Sequence, residues 1–389
     1  MACLGGTMLA DFEYRPGPRL VIGPGRLSEL GRLVRELGGS RVLLTSDRGV
    51  IEAGHVAAAA ESLADAGVEQ LVFSAFGENP TSAEVEEGTA FARDFAPDLL
   101  VGLGGGSSMD MAKGINFLLS CGGRMQVYKG RGTATGPLLP SIGVPTTAGT
   151  GSETQSFALI TDSDTGLKMA CGDPRAAFRV AILDVNLTLT QPRSLVAIGG
   201  IDAVSHAVES HVCLAATPAS RVYSREAWRL LATHLPTVLG PDTSIEARAA
   251  VQWAAALAGL AIENSMLGAA HALANPLTAT YGLTHGRAVG LLLPHVVRFN
   301  APVVGSLYAD LLAAAGEGGT DPSAAGESLA VRLTSLLVVG DLPVDLAAAG
   351  IPAADVETLA AAAAEQWTAR FNPRAVAATD LARLYEAAS

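Results

Sequence analysis

Four side chains, Asp202, His206, His271 and His285, fall within residues 199–300. Together they have the composition of a metal site. In GGIDAVSHAVES, Asp202 and His206 are four apart in a helical pattern, so they project from one face about a turn apart. His271 comes late in a second apolar run, AAALAGLAIENSMLGAAHALAN, which reads as one helix. His285 follows a Tyr-Gly-Leu-Thr breaker that closes one element and opens the next. The last two must therefore be brought in by tertiary folding. One carboxylate and three imidazoles, with a position left for substrate, suit a divalent first-row ion such as Fe²⁺ or Zn²⁺. Zinc also accepts three protein ligands, so a set of four favours iron. The plainer alternative is an i,i+4 helix pair beside two ordinary core or surface histidines.

Something must hold these side chains against a reactant, and the first half of the chain has the pattern for it. Short strand-like runs (RLVIG, RVLLT, QLVFS, DLLVGL) alternate with helical patterns over 27–37, 56–66, 85–95 and 109–119. Repeated strand–helix units predict a parallel, Rossmann-like sheet with helices on both faces. Further strand signals occur at LPSIGV, SFALIT and RVAIL. Thr81 and Glu84 after Pro80 form a capping box that starts one helix. Beyond Gln191-Pro192 the strand signals nearly stop and Ala/Leu-rich helical spacing takes over. The expectation is an α/β domain over 1–190 and an all-α domain over 191–389.

A second set of residues has the chemistry of a nucleotide site. The fourth strand runs into GLGGGSSMDMAKG, where Gly104, Gly105 and Gly106 let backbone approach a phosphate and a helix starting near Ser107 offers free N–H groups. The alternative is that Ser107 and Asp110 simply form a capping box. The run PTTAGTGSETQS, with Thr146, Thr147 and Thr150, sits at another strand's carboxyl end and suggests a second cradle for phosphate and ribose. Two of the chain's three lysines, Lys113 and Lys168, fall in or just after these segments. Asp47 ends the second strand, the place of a carboxylate that binds adenosine ribose and repels a 2′-phosphate, which favours NAD over NADP. It also suits a turn before Gly49. Asn79 lies in a Glu-Asn-Pro-Thr turn. Gly23-Pro24-Gly25 is only a partial fingerprint: its sixth position is Ser28 and Pro24 stiffens the turn.

The 389 residues are 49% hydrophobic and 16% charged, which predicts two cores and some apolar surface covered by another subunit, a homo-oligomer such as a dimer. A net charge of −12 argues against nucleic acid or an anionic membrane as partner. No run of 18 uncharged apolar residues exists, and the N-terminal stretch is too short and Gly-broken for a signal peptide, so a soluble cytoplasmic protein is expected. Cys3, Cys121, Cys171 and Cys213 lack metal-type spacing and read as reduced thiols.

In order along the chain, GGGSSMDMAK, PTTAGTGSE, GIDAVSHAVES, GAAHALANPLTATYGLTHG and LLLPHVVRFN resemble the iron-containing (group III) alcohol dehydrogenase family. The resemblance implies a dehydroquinate synthase-like fold with the active site between the domains. It also implies NAD(H) and Fe²⁺ (or Zn²⁺) as cofactors and a small alcohol or aldehyde as substrate. Asp202, His206, His271 and His285 fall on the family's metal ligands, Lys168 on a ribose contact and Asn79 on a cofactor contact. A dehydroquinate-synthase-like or glycerol-dehydrogenase-like enzyme, or a non-catalytic NAD-binding protein, are the rival readings. One departure is Asn275, where the family usually has a second histidine. An amide does not titrate, so the expectation is that the alcohol proton leaves by water or ribose hydroxyls while Asn275 fixes substrate or cofactor. The alternative is that Asn275 caps a helix ended by Pro276. Phe157, Met266 and Leu267 are further pocket candidates.

Overall fold

The computed structural model describes residues 11–241, 243–352 and 355–389. Cys3 lies outside them; Cys121, Cys171 and Cys213 are free thiols. The first half runs β1 (Arg19–Ile22), α1 (Leu30–Glu36), β2 (Arg41–Thr45), α2 (Arg48–Glu52), α3 (His55–Asp65), β3 (Glu69–Phe73), α4 (Ser82–Arg93), β4 (Leu99–Gly104) and α5 (Gly106–Cys121). It continues with β5 (Gly130–Arg131), β6 (Ser141–Pro145), β7 (Phe157–Thr161), β8 (Lys168–Gly172) and β9 (Val180–Leu183). Six strands form one parallel sheet in the order β1-β9-β6-β4-β2-β3. Alternation along each strand divides its side chains between two cores. Val42, Leu44, Leu99, Val101 and Leu103 pack on one face with α1 and α3, while Leu43 and Leu100 pack on the other with Ile115 and Phe117 of α5.

The strand order creates a crevice. From β2 the chain moves outward to β3, then returns to β4 on the other side of β2, and goes on from there toward β6. Connections therefore diverge between the carboxyl ends of β2 and β4, the position where open α/β sheets bind nucleotides.

The SFALIT strand signal is β7, which stands apart from the parallel sheet and pairs antiparallel with β8 in a separate sheet ordered β5-β8-β7. The Ser107–Asp110 capping box does not form: α5 is preceded by Gly105, without a side-chain cap. The Thr81–Glu84 box does form.

From Arg193 the described chain is helical: α6 (Arg193–Val212), α7 (Pro218–Leu239), α8 (Ile245–Glu263), α9 (Ala269–Tyr281), α10 (His285–Ala314), α11 (Pro322–Val339), α12 (Val356–Ala364) and α13 (Ala378–Ala387). They enclose one core that includes Val204, Trp228, Leu273 and Leu292. The apolar run containing His271 is two helices, not one. α8 ends at Asn264, whose amide donates to the Leu260 and Arg15 carbonyls and whose Oδ1 accepts from Arg15 N. Pro276 does not end α9 but lies inside it; the helix closes at Gly282 in the left-handed conformation. α8 and α10 are long and apolar enough to span a membrane by composition, yet 67% of each apolar window is buried within the fold. They are core helices here.

The two halves are joined by backbone contacts that exclude side chains. A Cβ on Gly149 would come within 2.7 Å of Gly199 Cα on α6, and one on Gly259 of α8 within 2.5 Å of the Gly151 carbonyl. The loop after β6 is thereby seated directly on α6, which carries Asp202 and His206, and on α8.

Candidate functional site

On α6, Asp202 and His206 share a face as expected, and both are buried. The α8–α9 break places His271 in the first turn of α9, and the Gly282 turn places His285 at the first residue of α10. The donor atoms of Asp202, His271 and His285 all lie within 4.8 Å of one another. His206 flanks this set, its Nε2 3.5 Å from Asp202 Oδ1 and its ring stacked on His271 at 5.1 Å. His285 Nε2 is 3.8 Å from the same oxygen. These separations are too long for good hydrogen bonds. They approach the roughly 3.0–3.5 Å between ligands that sit about 2.1 Å from one ion.

Buried polar atoms left without a partner support the same reading. Asp202 Oδ1 and His271 Nε2 are buried and unpartnered in the protein, a costly state unless something else satisfies them. Burial pushes His285 down to about 3 against the pull of Asp202, and burial likewise lowers His206. Both imidazoles are neutral near pH 7, with lone pairs free to ligate. Burial alone would raise the Asp202 carboxyl, but His206, His285, His271 and Lys168 outweigh it and keep the group ionised.

Glu209 was not singled out in the sequence. Its Oε2 lies 2.6 Å from His271 Nδ1, and its Oε1 accepts from Ala270 N at 2.7 Å. The available signal was spacing: Glu209 follows Asp202 by seven on α6 and so shares its face.

At the crevice, the predicted nucleotide residues also assemble. Gly104 ends β4 with φ 149°, and a Cβ there would meet Ser108 Oγ at 2.3 Å. Thr146 N donates to the Gly104 carbonyl at 2.9 Å; Thr147 packs over Gly105 and Thr150 over Gly106. Asp47 follows β2, accepts from Val50 N at 3.1 Å as the cap of α2, and directs Oδ2 toward Ser108 Oγ at 3.4 Å. It thus serves the turn as well as facing the crevice. Asn79, in the left-handed conformation, donates its N–H to Ser107 Oγ at 3.3 Å and accepts from Lys168 Nζ at 2.9 Å. The Lys168 side chain is accessible to solvent but crowded by protein, which lowers its pKa against the charges of Asp110, Asp202 and Glu78. The charges of both Asp110 and Asp202 act on Lys168, whose ammonium is held by Asn79.

Asp110 is different. It is buried beneath the loop after β6, accepting from Ser152 Oγ at 3.2 Å, and burial raises it to about 6 despite Lys113 and Lys168. Lys113, also buried, donates to Ser152 O at 2.8 Å and to Phe157 O at 2.8 Å. Both residues support the cradle from below. Gly23-Pro24-Gly25 is likewise structural, since Gly25 N and Leu27 N donate to the Asp184 carboxylate.

Asn275 is one turn beyond His271, in the middle of α9, which removes the C-cap reading. Its Nδ2 donates to Gln366 Oε1 at 3.0 Å. Met266 is buried in the α8–α9 break and Leu267 half-buried beside it.

A carboxylate and imidazoles gathered opposite a dinucleotide-type crevice place the protein among two-domain oxidoreductases of alcohols and aldehydes. Comparison with known proteins narrows this. Residues 17–185 match the family described as iron-containing alcohol dehydrogenase, and residues 196–389 match the C-terminal part of the Fe-containing alcohol dehydrogenase family. The chain is 33% identical to the NAD-dependent methanol dehydrogenase of Bacillus methanolicus, over 94% of this chain and 97% of that protein. It is 34% identical to the 1,3-propanediol dehydrogenase of Klebsiella pneumoniae, over 97% and 98%. A crystal structure of 1,3-propanediol oxidoreductase superposes with a TM-score of 0.95 at 32% identity, covering 98% of this chain and 100% of that one. The chain belongs to the iron-containing alcohol dehydrogenase family, and it is an enzyme.

Proposed function

We propose that this enzyme interconverts a small primary or secondary alcohol and its aldehyde or ketone, using NAD(H) and one divalent metal ion, Fe²⁺ or alternatively Zn²⁺. The observation that carries this reading is the convergence of Asp202, His271 and His285 within 4.8 Å, with buried unpartnered donor atoms. Asn79, bonded both to Ser107 beside the glycine turn and to Lys168, whose ammonium feels the charge of Asp202, supports a link between the two halves of the chemistry.

In this reading Asp202, His206, His271 and His285 hold the metal. Gly104, Gly105 and Gly106, the N-terminus of α5, and Thr146, Thr147 and Thr150 receive the cofactor's phosphates. Asp47 accepts from the adenosine ribose, which selects NAD over NADP. Lys168, fixed by Asn79, holds the second ribose, and Ser107 anchors Asn79 in turn. When bound, the metal supplies Lewis acidity toward the substrate oxygen and the nicotinamide a hydride-accepting ring. The chain's own contribution is positional and electrostatic. With their lone pairs turned to the metal, His285 and His206 would not accept the alcohol proton, and Asn275 cannot take it. A soluble, cytoplasmic homo-oligomer, such as a dimer, belongs to the same reading. Support for it comes from the −12 charge and from apolar side chains such as Leu214 and Val222 that face outward.

The test is turnover by purified protein supplied with Fe²⁺ or Zn²⁺, NAD⁺ and a panel of short alcohols, and in reverse with NADH and aldehydes. Reversible, metal-dependent change in NADH is expected. A protein that retains about one metal per chain yet oxidises no alcohol and reduces no aldehyde would remove this reading.

A further inference from the structure

Near the histidine cluster, the small sheet meets the 3-10 turn that precedes α13. In the β7–β8 ladder Phe157 pairs with Gly172, Leu159 with Ala170 and Thr161 with Lys168. Paired residues point the same way, so Phe157, Leu159 and Lys168 share one sheet face, the face whose lysine feels the charge of Asp202. The Phe157 ring covers Gly172 so closely that a Cβ there would lie 2.2 Å from it. Leu159 is 39% exposed on the same face. From the helical side, Trp367 opens the 3-10 turn Trp367–Phe371 and brings its indole to 6.1 Å from the Phe157 ring. Phe371 also meets that indole, perpendicular to it at 6.2 Å.

Both rings are braced by elements that carry the reactive site. Lys113 of α5 donates to the Phe157 carbonyl at 2.8 Å. Gln366, the residue before Trp367, accepts from Asn275 Nδ2 at 3.0 Å, and Asn275 stands one turn beyond His271 on α9. We propose that Phe157 and Trp367 form an aromatic gate that limits the length of the apolar tail on the alcohol or aldehyde. Asn275 and Gln366 are positioning residues that hold Trp367 in that gate. This inference rests on the alcohol–aldehyde reading of the site. A gate of this kind admits tails that stop short of the rings and requires longer ones to displace them. The Asn275–Gln366 pair is two neutral amides, so the brace does not change with pH.

The experiment is a series of primary alcohols from two to six carbons, with KM and kcat measured separately for wild type, Trp367→Ala, Asn275→Ala and the double variant. Trp367→Ala is expected to raise kcat/KM for the longer alcohols relative to the shorter by roughly 4-fold for each methylene admitted, mainly through KM. Asn275→Ala is expected to shift the profile the same way but less. The double variant should match Trp367→Ala, because the brace acts through the ring it holds. A folded, metal-loaded Trp367→Ala with the wild-type length profile overturns the gate. Additive shifts overturn the brace. If Trp367→Ala fails to fold, Trp367→Leu and Phe157→Leu give the same reading. If the wild type oxidises no alcohol, the proposed function falls, and calorimetric affinities of the same series for NAD⁺-loaded wild type and variant still judge the gate.

Discussion

Glu209 Oε2 and His271 Nδ1 lie 2.6 Å apart, both buried, and link α6 to α9 beside the Asp202 and histidine cluster. The other Glu209 oxygen accepts from Ala270 N, so one carboxylate fixes both the first turn of α9 and the orientation of its histidine. An ionised carboxylate can only accept, so Nδ1 carries the proton. The Nε2 lone pair then faces the cluster, where it has no protein partner. Glu209 thereby sets the tautomer a metal ligand needs.

Glu209→Gln keeps the volume but removes this control, because an amide can turn either end toward His271. Metal affinity is expected to fall about 10–100-fold while NAD⁺ affinity is unchanged. Competition with a chelator measures the first and a fluorescence titration the second. Wild-type metal affinity in this variant would leave Glu209 as a helix tie only.

His285→Ala should remove tight metal binding and turnover together while sparing NAD⁺ affinity. His285 is the better target because its side chain is 27% exposed and Asp202 keeps His206 beside it after truncation. His271→Ala should have the same functional effect but also lose stability, on the order of 3 kcal/mol, since it strands the Glu209 carboxylate. Metal content by elemental analysis and melting temperature separate the two losses. An active, metal-loaded His285→Ala would remove His285 from the ligand set.

What could be read in advance was local in origin. Asp202 and His206 needed only helical spacing, Thr81 and Glu84 only the capping pattern, and Gly104–Gly106 only the end of a strand. What could not be read depended on distant partners. The α8–α9 break is set by Asn264 binding Arg15, 249 residues away in sequence, and apolar composition on both sides concealed it. Pro276 remains inside α9 because buried packing around Leu273 and Leu277 outweighs the proline's preference. Lys168 was noticed as a cation but not as part of a strand, since β8 is held by antiparallel pairing with β7 rather than by a strand–helix unit.

Asp47 combines two roles, and the choice of substitution separates them. Asp47→Gly would remove both the charge and the cap on Val50 N, whereas Asp47→Ser keeps a capping oxygen and removes only the charge. NADP⁺ use relative to NAD⁺ should rise in both variants, by about 1–3 kcal/mol if the contact is partly desolvated. Asp47→Ser should keep the wild-type melting temperature. The ratio of kcat/KM values with the two cofactors is the measurement. An unchanged ratio would leave Asp47 as a helix cap alone.

Buried charge beneath the nucleotide loop should imprint on stability. Burial raises Glu153 from its ordinary 4.5 to about 7, outweighing a backbone hydrogen bond and the pull of the Lys113 ammonium. A raised carboxyl contributes stability below 4.5 that is lost as pH climbs through about 7. Asp110, raised from 3.8 to about 6, acts in the same sense. Lys113, lowered by burial from 10.5 to about 8, acts in the opposite one: its contribution is present above 10.5 and is lost as pH falls through about 8. These three groups together therefore place a stability minimum between about 7 and 8. Glu153→Gln should flatten the decline between 4.5 and 7. It should also stabilise the protein at pH 8 by a few kcal/mol, since each tenfold change in a proton's binding constant is worth about 1.4 kcal/mol. Urea midpoints across this range for wild type and variant provide the check. Two parallel curves would mean that Glu153 titrates as an ordinary carboxylate and that its burial is relieved in solution.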